Sequence, residues 1–221
     1  MAKQSQGCLI RRESSVAGTT ADLSTNTISF VDADNTICRQ AGFADFSTGM
    51  RVECDAAVNR GVFTIKATAG TALTMYEDIA AEASGNTITL KGHTMQNIGW
   101  VQSFNGPGLS APVIDITHLQ STAKEKMVGV YDGGQVSLGV LWDNEASGTR
   151  LHDALVRDMT GRTKRKFDIQ FVGPTTGESG AVYFGGYVNG FSITGSVDNV
   201  LKADISISLT SGVDFSTCKA T

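Results

Sequence analysis

Strict alternation of apolar and polar residues constrains the fold of this chain more than any other feature. In residues 200–210, five apolar side chains occupy every second position, and lysine, aspartate and serine fill the positions between. A period of two puts one set on each face of a β-strand. Burying each large apolar side chain contributes roughly 1.5–3 kcal/mol, which fixes the register. Because the pattern recurs at 136–142, 167–171, 182–184 and 191–193, we expect a mainly antiparallel β-protein.

One segment has helical rather than strand periodicity. Its apolar residues are Leu151, Ala154, Leu155 and Met159. Thr149 is placed to cap the N-terminus of a helix, and Gly161 is placed to end it. We therefore predict an all-β protein with one short amphipathic helix that covers one side of an antiparallel β-sandwich or barrel.

The first third of the chain has the character of a separate unit. Five short alternating runs are separated there by turn-forming residues, which is enough for a small antiparallel barrel or sandwich. Residues 14–25, rich in Ser, Thr and Ala, and residues 91–94 are interpreted as its entry and exit linkers. We assign residues 21–92 to a small inserted β-domain and residues 1–20 and 93–221 to the larger domain.

Composition excludes several classes of function. The 221 residues carry a net charge of -4, so the chain lacks the basic character typical of proteins that bind duplex nucleic acid. No apolar run approaches the roughly 20 residues of a membrane span. The N-terminus also lacks the apolar core of a signal peptide. We expect a soluble protein, made in a cytoplasm, with no membrane partner.

Residues suited to chemistry are sparse. The four cysteines show no CxxC spacing and lie far from the three histidines, so no zinc site is expected, although Cys38 and Cys54 could meet in space. His152 and Asp153 are neighbours that point to different faces of the predicted helix. No nucleophile-elbow, zinc-protease or phosphate-loop motif is present. We predict no catalytic site, no cofactor and no metal.

Residues 105–135 form a long polar excursion between two predicted strands, at 98–104 and 136–142. Loops longer than about 12–15 residues are uncommon in compact domains unless they are functional. This excursion opens with Gly-Pro-Gly at 106–108, and it offers few large apolar side chains to bury against its own domain. We therefore predict that it packs on another subunit.

Short motifs along residues 98–215 resemble, in their order, the tail tube proteins of long, non-contractile-tailed (lambda-like) bacteriophages. The matching pieces lie at 106–108, 114–119, 121–126, 129–134, 136–138, 186–192, 197–198 and 205–212. Each piece is common, but the ordered set is considerably more specific. Within the predicted inserted domain, residues 42–46, 49–52, 59–65 and 73–74 also resemble a small β-module found in many phage virion proteins. Typical tail tube proteins have no insertion here, so the chain departs from the family at this point.

This resemblance implies a fold and a function. The family folds as a β-sandwich with one flanking helix, and six copies form a ring. Rings stack into a hollow tube, a long loop reaches into the adjacent ring, and the sheets of neighbouring subunits join around the lumen. The genome leaves the virion through that lumen, without specific binding to its wall.

The resemblance also implies partners and a location. The partners are further copies of this chain, a tape-measure protein, and the tail terminator and distal tail proteins. The location is the tail of the virion, after assembly in the cytoplasm of the bacterial host. The chain would therefore be the major structural subunit of the tail tube and not an enzyme.

Two groups of residues are candidates for this function. The candidate contacts between subunits and rings are Pro107, Asp115, Thr117, Lys124, Glu125, Lys126 and Asp132. Exposed ion pairs contribute only ~0–1 kcal/mol each, so these residues would set orientation more than affinity. A conduit for DNA should be neutral to acidic, because basic groups retain phosphates. Asp168 and Asp204, on polar strand faces, are the candidate lumen residues.

Three other interpretations remain open. The nearest is a different tail component, such as a terminator or a tube-like protein of a contractile machine, and a terminator would form single rings instead of long tubes. The second is a module that binds a carbohydrate or a receptor through an outward-facing inserted domain. The third is an enzyme, which loss of a hydrolytic activity on substitution of His152 would support.

Overall fold

The computed structural model describes residues 8–22, 28–82, 87–118, 120–142, 152–172, 179–196, 200–210 and 212–217. The strands of the first part are β1 (Leu9–Asp22), β2 (Ile28–Val31), β3 (Thr36–Arg39), β4 (Arg51–Asp55), β5 (Arg60–Ala69), β6 (Ala72–Met75) and β7 (Thr87–Asn97). The later elements are β8 (Val101–Asn105), β9 (Val113–Asp115), β10 (Lys126–Val128), β11 (Gln135–Leu141), α1 (His152–Thr160), β12 (Arg165–Val172), β13 (Ser179–Thr194), β14 (Lys202–Leu209) and β15 (Asp214–Thr217).

The predicted fold class, all-β with one short helix, is confirmed. All strand pairs of the described residues are antiparallel, and the main sheet has the order β2-β3-β6-β5-β4-β7-β1-β12-β13-β14-β11-β8, with β15 added on β13. In β14, Ala203, Ile205 and Ile207 are buried while Lys202 and Asp204 are exposed, as the alternation predicts. The alternating segments therefore became strands because each had one face to bury.

The buried apolar side chains form two clusters. One is built from residues between Ile28 and Leu90, on β2 to β7 and their connections. The other combines Ile10 of β1 with Ile98 and with side chains of β11, α1, β12, β13 and β14. The two clusters agree with the proposed division at residues 21–92, and that division remains a prediction.

Strands β1 and β7 differ from the sequence-based expectation. Residues 14–25 and 91–94 were interpreted as linkers, but β1 runs to Asp22 and pairs with β7 from Arg11–Asn97 to Asp22–Thr87. At its start β1 also pairs with β12, so one long strand belongs to both halves of the sheet. The linker interpretation is wrong because these polar segments satisfy each other's backbone groups, a partnership that local composition does not reveal.

Helix α1 covers the second cluster, as predicted. Leu155 is fully buried in that cluster, and Met159 packs against it. The amide of Gly161 donates to the carbonyl oxygen of Arg157 at 2.8 Å and ends the helix. The proposed cap Thr149 lies outside the described residues.

Candidate functional site

The excursion at residues 105–135, called the arm from here on, leaves the sheet between β8 and β11. At its base the outgoing segment at 106–108 and the returning segment at 134–135 pack closely, backbone against backbone. Gly134 has a φ of 68°, and a β-carbon on it would lie 2.6 Å from the carbonyl oxygen of Gly108. Gly106 has a φ of 104°, and a β-carbon there would lie 2.5 Å from the carbonyl oxygen of Gln135. Glycine is therefore required at both positions, which fixes the direction in which the arm departs.

Beyond its base the arm is an ordered β-hairpin and not the irregular polar loop that the sequence suggested. Strands β9 and β10 pair antiparallel, with Val113 opposite Val128 and Ile114 opposite Met127. They form a two-stranded sheet separate from the main one. The expectation of few large apolar side chains is wrong, because this hairpin carries apolar residues on both of its faces.

No described residue between 105 and 135 is buried. Eight large apolar side chains of the arm are exposed: Leu109, Val113, Ile114, Ile116, Met127, Val128, Val130 and Tyr131. Val130 retains 89% of its surface. Contiguous exposed apolar surface of this kind marks interaction sites in soluble proteins. Sequence reasoning emphasised the arm's charges and missed this feature, although the pairs at 113–114 and 127–128 signal it.

The polar residues predicted to join subunits lie on the arm, where several of them fold the arm itself. Asp115 accepts hydrogen bonds from the amide (2.9 Å) and the hydroxyl (2.6 Å) of Thr117, which lower the pKa of its carboxyl group. The hydroxyl of Thr117 accepts from the amide of Glu125 at 3.0 Å. Asp132 accepts from the amide of Gly134 at 3.0 Å. Their role between subunits remains a prediction.

The other predicted contact residues lie around these bonds. Pro107 sits half-buried at the base of the arm and follows a cis peptide bond. Lys126 is exposed and stands opposite Asp115 in the hairpin register. Lys124 is exposed at the tip. All remain accessible to a second subunit.

The two candidate lumen residues have different environments. Asp204 is exposed on β14, level with Gly139 of β11 and Ser192 of β13. Asp168 has no exposed surface, since it is enclosed by Arg11 and Arg51. The prediction for Asp168 is therefore wrong: its polar face of β12 is covered by arginines from β1 and β4, which are distant in sequence.

Asp168 belongs to a charged junction of β1, β4, β7 and β12, made of Arg11, Glu13, Arg51, Glu53, His93, Lys166 and Asp168. Its centre is buried, while Arg11, Glu53 and Lys166 are half-buried. The guanidinium of Arg11 donates to Asp168 at 2.9 Å, and Nε of Arg51 donates to it at 3.1 Å. Arg51 also contacts Thr64 and Glu77 of the first half. The junction therefore ties the region of residues 21–92 to the rest of the sheet.

His93 is held between two carboxylates of this junction. Its Nδ1 lies 3.7 Å from Glu13 and its Nε2 lies 3.4 Å from Glu53. Burial opposes the charged imidazolium, but the two carboxylates outweigh it and raise the pKa of His93. Contact with His93, assisted by Lys166 and opposed by burial, lowers the pKa of Glu53 to about 2.

Residues considered for chemistry have structural surroundings. His152 is buried, stacks on Trp142 with ring centroids 5.4 Å apart, and contacts the carbonyl oxygen of Gly99 at 3.3 Å. Cys38 and Cys54 are free thiols, and burial raises the pKa of Cys54 to about 11. Within the described ranges, no group of three His, Cys, Asp or Glu side chains is placed to hold a metal ion.

These observations define the class of protein. The chain is a β-protein whose arm exposes apolar side chains that none of the described residues bury, as in subunits of larger assemblies. A model of the family described as phage tail tube, lambda-like, matches residues 62–219, and the chain belongs to that family. It is a tail tube protein, a structural component of the virion tail that assembles with other tail proteins, and not an enzyme.

Two further findings accompany the family match. A comparison with curated proteins found no match. In the part of the chain that the structure describes, no helix has the length and apolar character needed to cross a membrane. The matched region begins at residue 62, within β5 and inside the proposed inserted domain.

Proposed function

We propose that six copies of this chain form a ring, that rings stack into the tail tube, and that the arm makes the contact between rings. The observation that carries the proposal is the arm's exposed apolar surface, at residues 109–131, on a hairpin whose base has a fixed direction. Leaving this surface in water in every subunit would be unfavourable by roughly 25 cal/mol for each Å². Contacts repeated around a ring add together through multivalency, so a modest contact suffices.

The proposed lumen wall is the face of β8, β11 and β14 that points away from the second apolar cluster. Mainly polar side chains cover this face, with Gly139 between Ser103 and Asp204 and the half-buried Leu141 at one end: Ser103, Asn105, Gln135, Ser137, Asp204, Ser206 and Ser208. Lys202 is the basic residue on the same face of β14. Such a surface gives DNA phosphates little to bind, which favours transit.

The proposed partners are those that the resemblance to tail tube proteins implies. The tube surrounds a tape-measure protein during assembly in the host cytoplasm, ends in terminator and distal tail proteins, and later passes DNA. The region of residues 21–92 is an inserted domain fixed to the tube body through the charged junction. Its position on the far side of the sheet path from β8 and β11 supports an outer location.

Electron microscopy of the purified protein tests the proposal. Long hollow tubes with a regular ring repeat are expected. Isolated single rings would support a terminator instead, and particles that stay monomeric at high concentration would contradict any tube function.

A matched pair of variants tests the lumen assignment. Asp204→Lys should still form tubes, but the tubes should retain short duplex DNA in a salt-sensitive way, because the added charges line the channel. Asp45→Lys, at an exposed position in the proposed inserted domain, is the control. Equal DNA retention by the two variants would contradict the proposed wall.

A further inference from the structure

The sheet has two chemically distinct ends. Strand β11 begins where the arm ends, at Gln135, and finishes at Leu141. Six residue steps at roughly 3.3 Å each separate these ends by about 20 Å. The end at Leu141 also holds the N-terminus of α1, because Trp142 stacks on His152, the first residue of the helix. The arm and the N-terminus of α1 therefore lie at opposite ends of β11.

The helix end contains an open apolar groove of about 520 Å³. Its lining comes from Trp142 and α1 on one side and from the end of β13 on the other: Trp142, Asp153, Val156, Arg157, Phe191 and Ile193. The rings of Trp142 and Phe191 meet edge to face at 5.1 Å, which gives the groove a rigid aromatic floor.

Exposed apolar side chains continue around this groove. Ile193 is 51% exposed, and Leu201, Val200 and Trp100 are exposed beside it at the same end of the sheet. The amide of Leu141 donates to the carbonyl oxygen of Trp100, and the amide of Trp142 donates to that of Leu201, which places both residues at this end. The groove and these side chains form an apolar surface at the strand ends away from the arm.

We propose that this groove receives the arm of a second copy of the chain, so that subunits associate head to tail. The inference rests on the proposed tube function and specifies the surface that completes it. Both surfaces are apolar, both are rimmed by charges of the two signs, and they face opposite ends of the subunit. Asp153 and Arg157 border the groove, while Asp115 and Lys126 stand opposite each other on the hairpin.

The polarity of the subunit decides between this contact and a symmetric one. If two arms paired with each other, the contact would be self-complementary and would close on a pair of subunits. A groove at the end opposite the arm leaves each newly added copy with a free arm at one end and a free groove at the other. Such a heterologous contact continues without limit, which a tube requires.

The test begins with tube formation by Ile193→Lys, monitored by sedimentation and microscopy. We expect this variant to remain a folded subunit, with an unchanged circular dichroism spectrum, and to lose tube growth at least tenfold in rate. Val58→Lys is the control, because Val58 is similarly exposed but lies in the region of residues 21–92. Normal growth of Ile193→Lys tubes would overturn the groove proposal and leave the tube function intact. Failure of the unsubstituted protein to form tubes would instead contradict the function itself.

A cross-linking experiment keeps the inference testable if the lysine variant does not fold. A photo-reactive phenylalanine analogue replaces Ile193, the protein is allowed to form tubes, and cross-linked peptides are identified by mass spectrometry. Cross-links between position 193 and residues 109–131 of a different copy are expected. Cross-links in tubes that lead only to other segments, or an arm cross-linked to the groove of its own copy in the unassembled subunit, would overturn it.

Discussion

Asp168 and Asp204 illustrate how partners that are distant in sequence decide the role of a residue. Both lie on the polar face of an alternating strand, and nothing in the local sequence distinguishes them. The register brings Arg11 beside Asp168, and the fold adds Arg51 from β4, whereas Asp204 stays in solvent beside serines and Gly139. Alternation thus predicted which face each residue occupies, but not whether another element covers that face.

Removal of the buried carboxylate should be far more damaging than removal of the exposed one. Asp168→Ala removes the carboxylate that Arg11 shares with the fully buried Arg51, while Arg51 keeps its contact with Glu77. We expect a cost of about 3 kcal/mol in the free energy of unfolding, at the lower end for a broken buried ion pair. Asp204→Ala should change it by no more than about 0.5 kcal/mol. Urea denaturation of the unassembled subunit measures both, and similar values for the two variants would contradict the assignment.

The stability that His93 and Glu53 of the charged junction contribute should depend on pH in both directions. The raised pKa of His93 gives stability that is present below about pH 6.5 and is lost as the pH rises through that raised value. The lowered pKa of Glu53 gives stability that is present above about pH 4.3 and is lost as the pH falls towards its pKa of about 2. The melting temperature should therefore be highest between about pH 4.5 and 6.5 as far as this cluster contributes.

Two histidine substitutions, one the test and one the control, check this pH dependence. His93→Gln should remove the decline of the melting temperature on the alkaline side, because Gln carries no titrating charge between Glu13 and Glu53. His118→Gln, on the exposed arm, should leave the decline as it is. An unchanged alkaline decline in His93→Gln would show that other groups are responsible.

At the scale of elements, the sequence predicted strands well where apolar residues alternate and poorly where they do not. Strands β11 and β14 followed the pattern. The alternating runs at 182–184 and 191–193 proved to belong to one strand, β13, which has a register shift between Val188 and Gly190. The outer part of β1 was missed because its Ser, Thr and Ala residues gain strand structure from pairing with β7. The arm hairpin was missed because its apolar faces stay exposed, with none of the described residues burying them.

Gly134, at the base of the arm, should control the direction in which the arm leaves the sheet. Gly134→Ala places a β-carbon 2.6 Å from the carbonyl oxygen of Gly108 at a positive φ, so the arm should change direction while the sheet stays folded. Tube formation should fall at least tenfold, with little loss of cooperative unfolding. Gly108→Ala is the control, since open space surrounds that position. Equal assembly of both variants would mean that the arm's direction is unimportant.

At the scale of the whole molecule, the register of β1 and β7 allows the inserted-domain prediction to be tested. Gly18 stands opposite Lys91, so a two-residue Asn-Gly turn can replace residues 19–90 and close a β-hairpin. The shortened chain should fold with reduced stability, because Asp168 loses Arg51, and should still form tubes of smaller outer diameter in electron micrographs. Loss of tubes in a folded shortened chain would show that residues 21–92 belong to the tube body.

The central claim is that the arm of residues 105–135 is uncovered in the subunit and becomes covered only by other copies. Amide hydrogen exchange, followed by mass spectrometry before and after tube formation, measures this directly. We predict that peptides from residues 109–131 exchange rapidly in the subunit and become strongly protected in tubes, while those from β12 and β14 are protected in both states. Arm amides that are equally protected in the subunit, or that remain unprotected in tubes, would contradict the account.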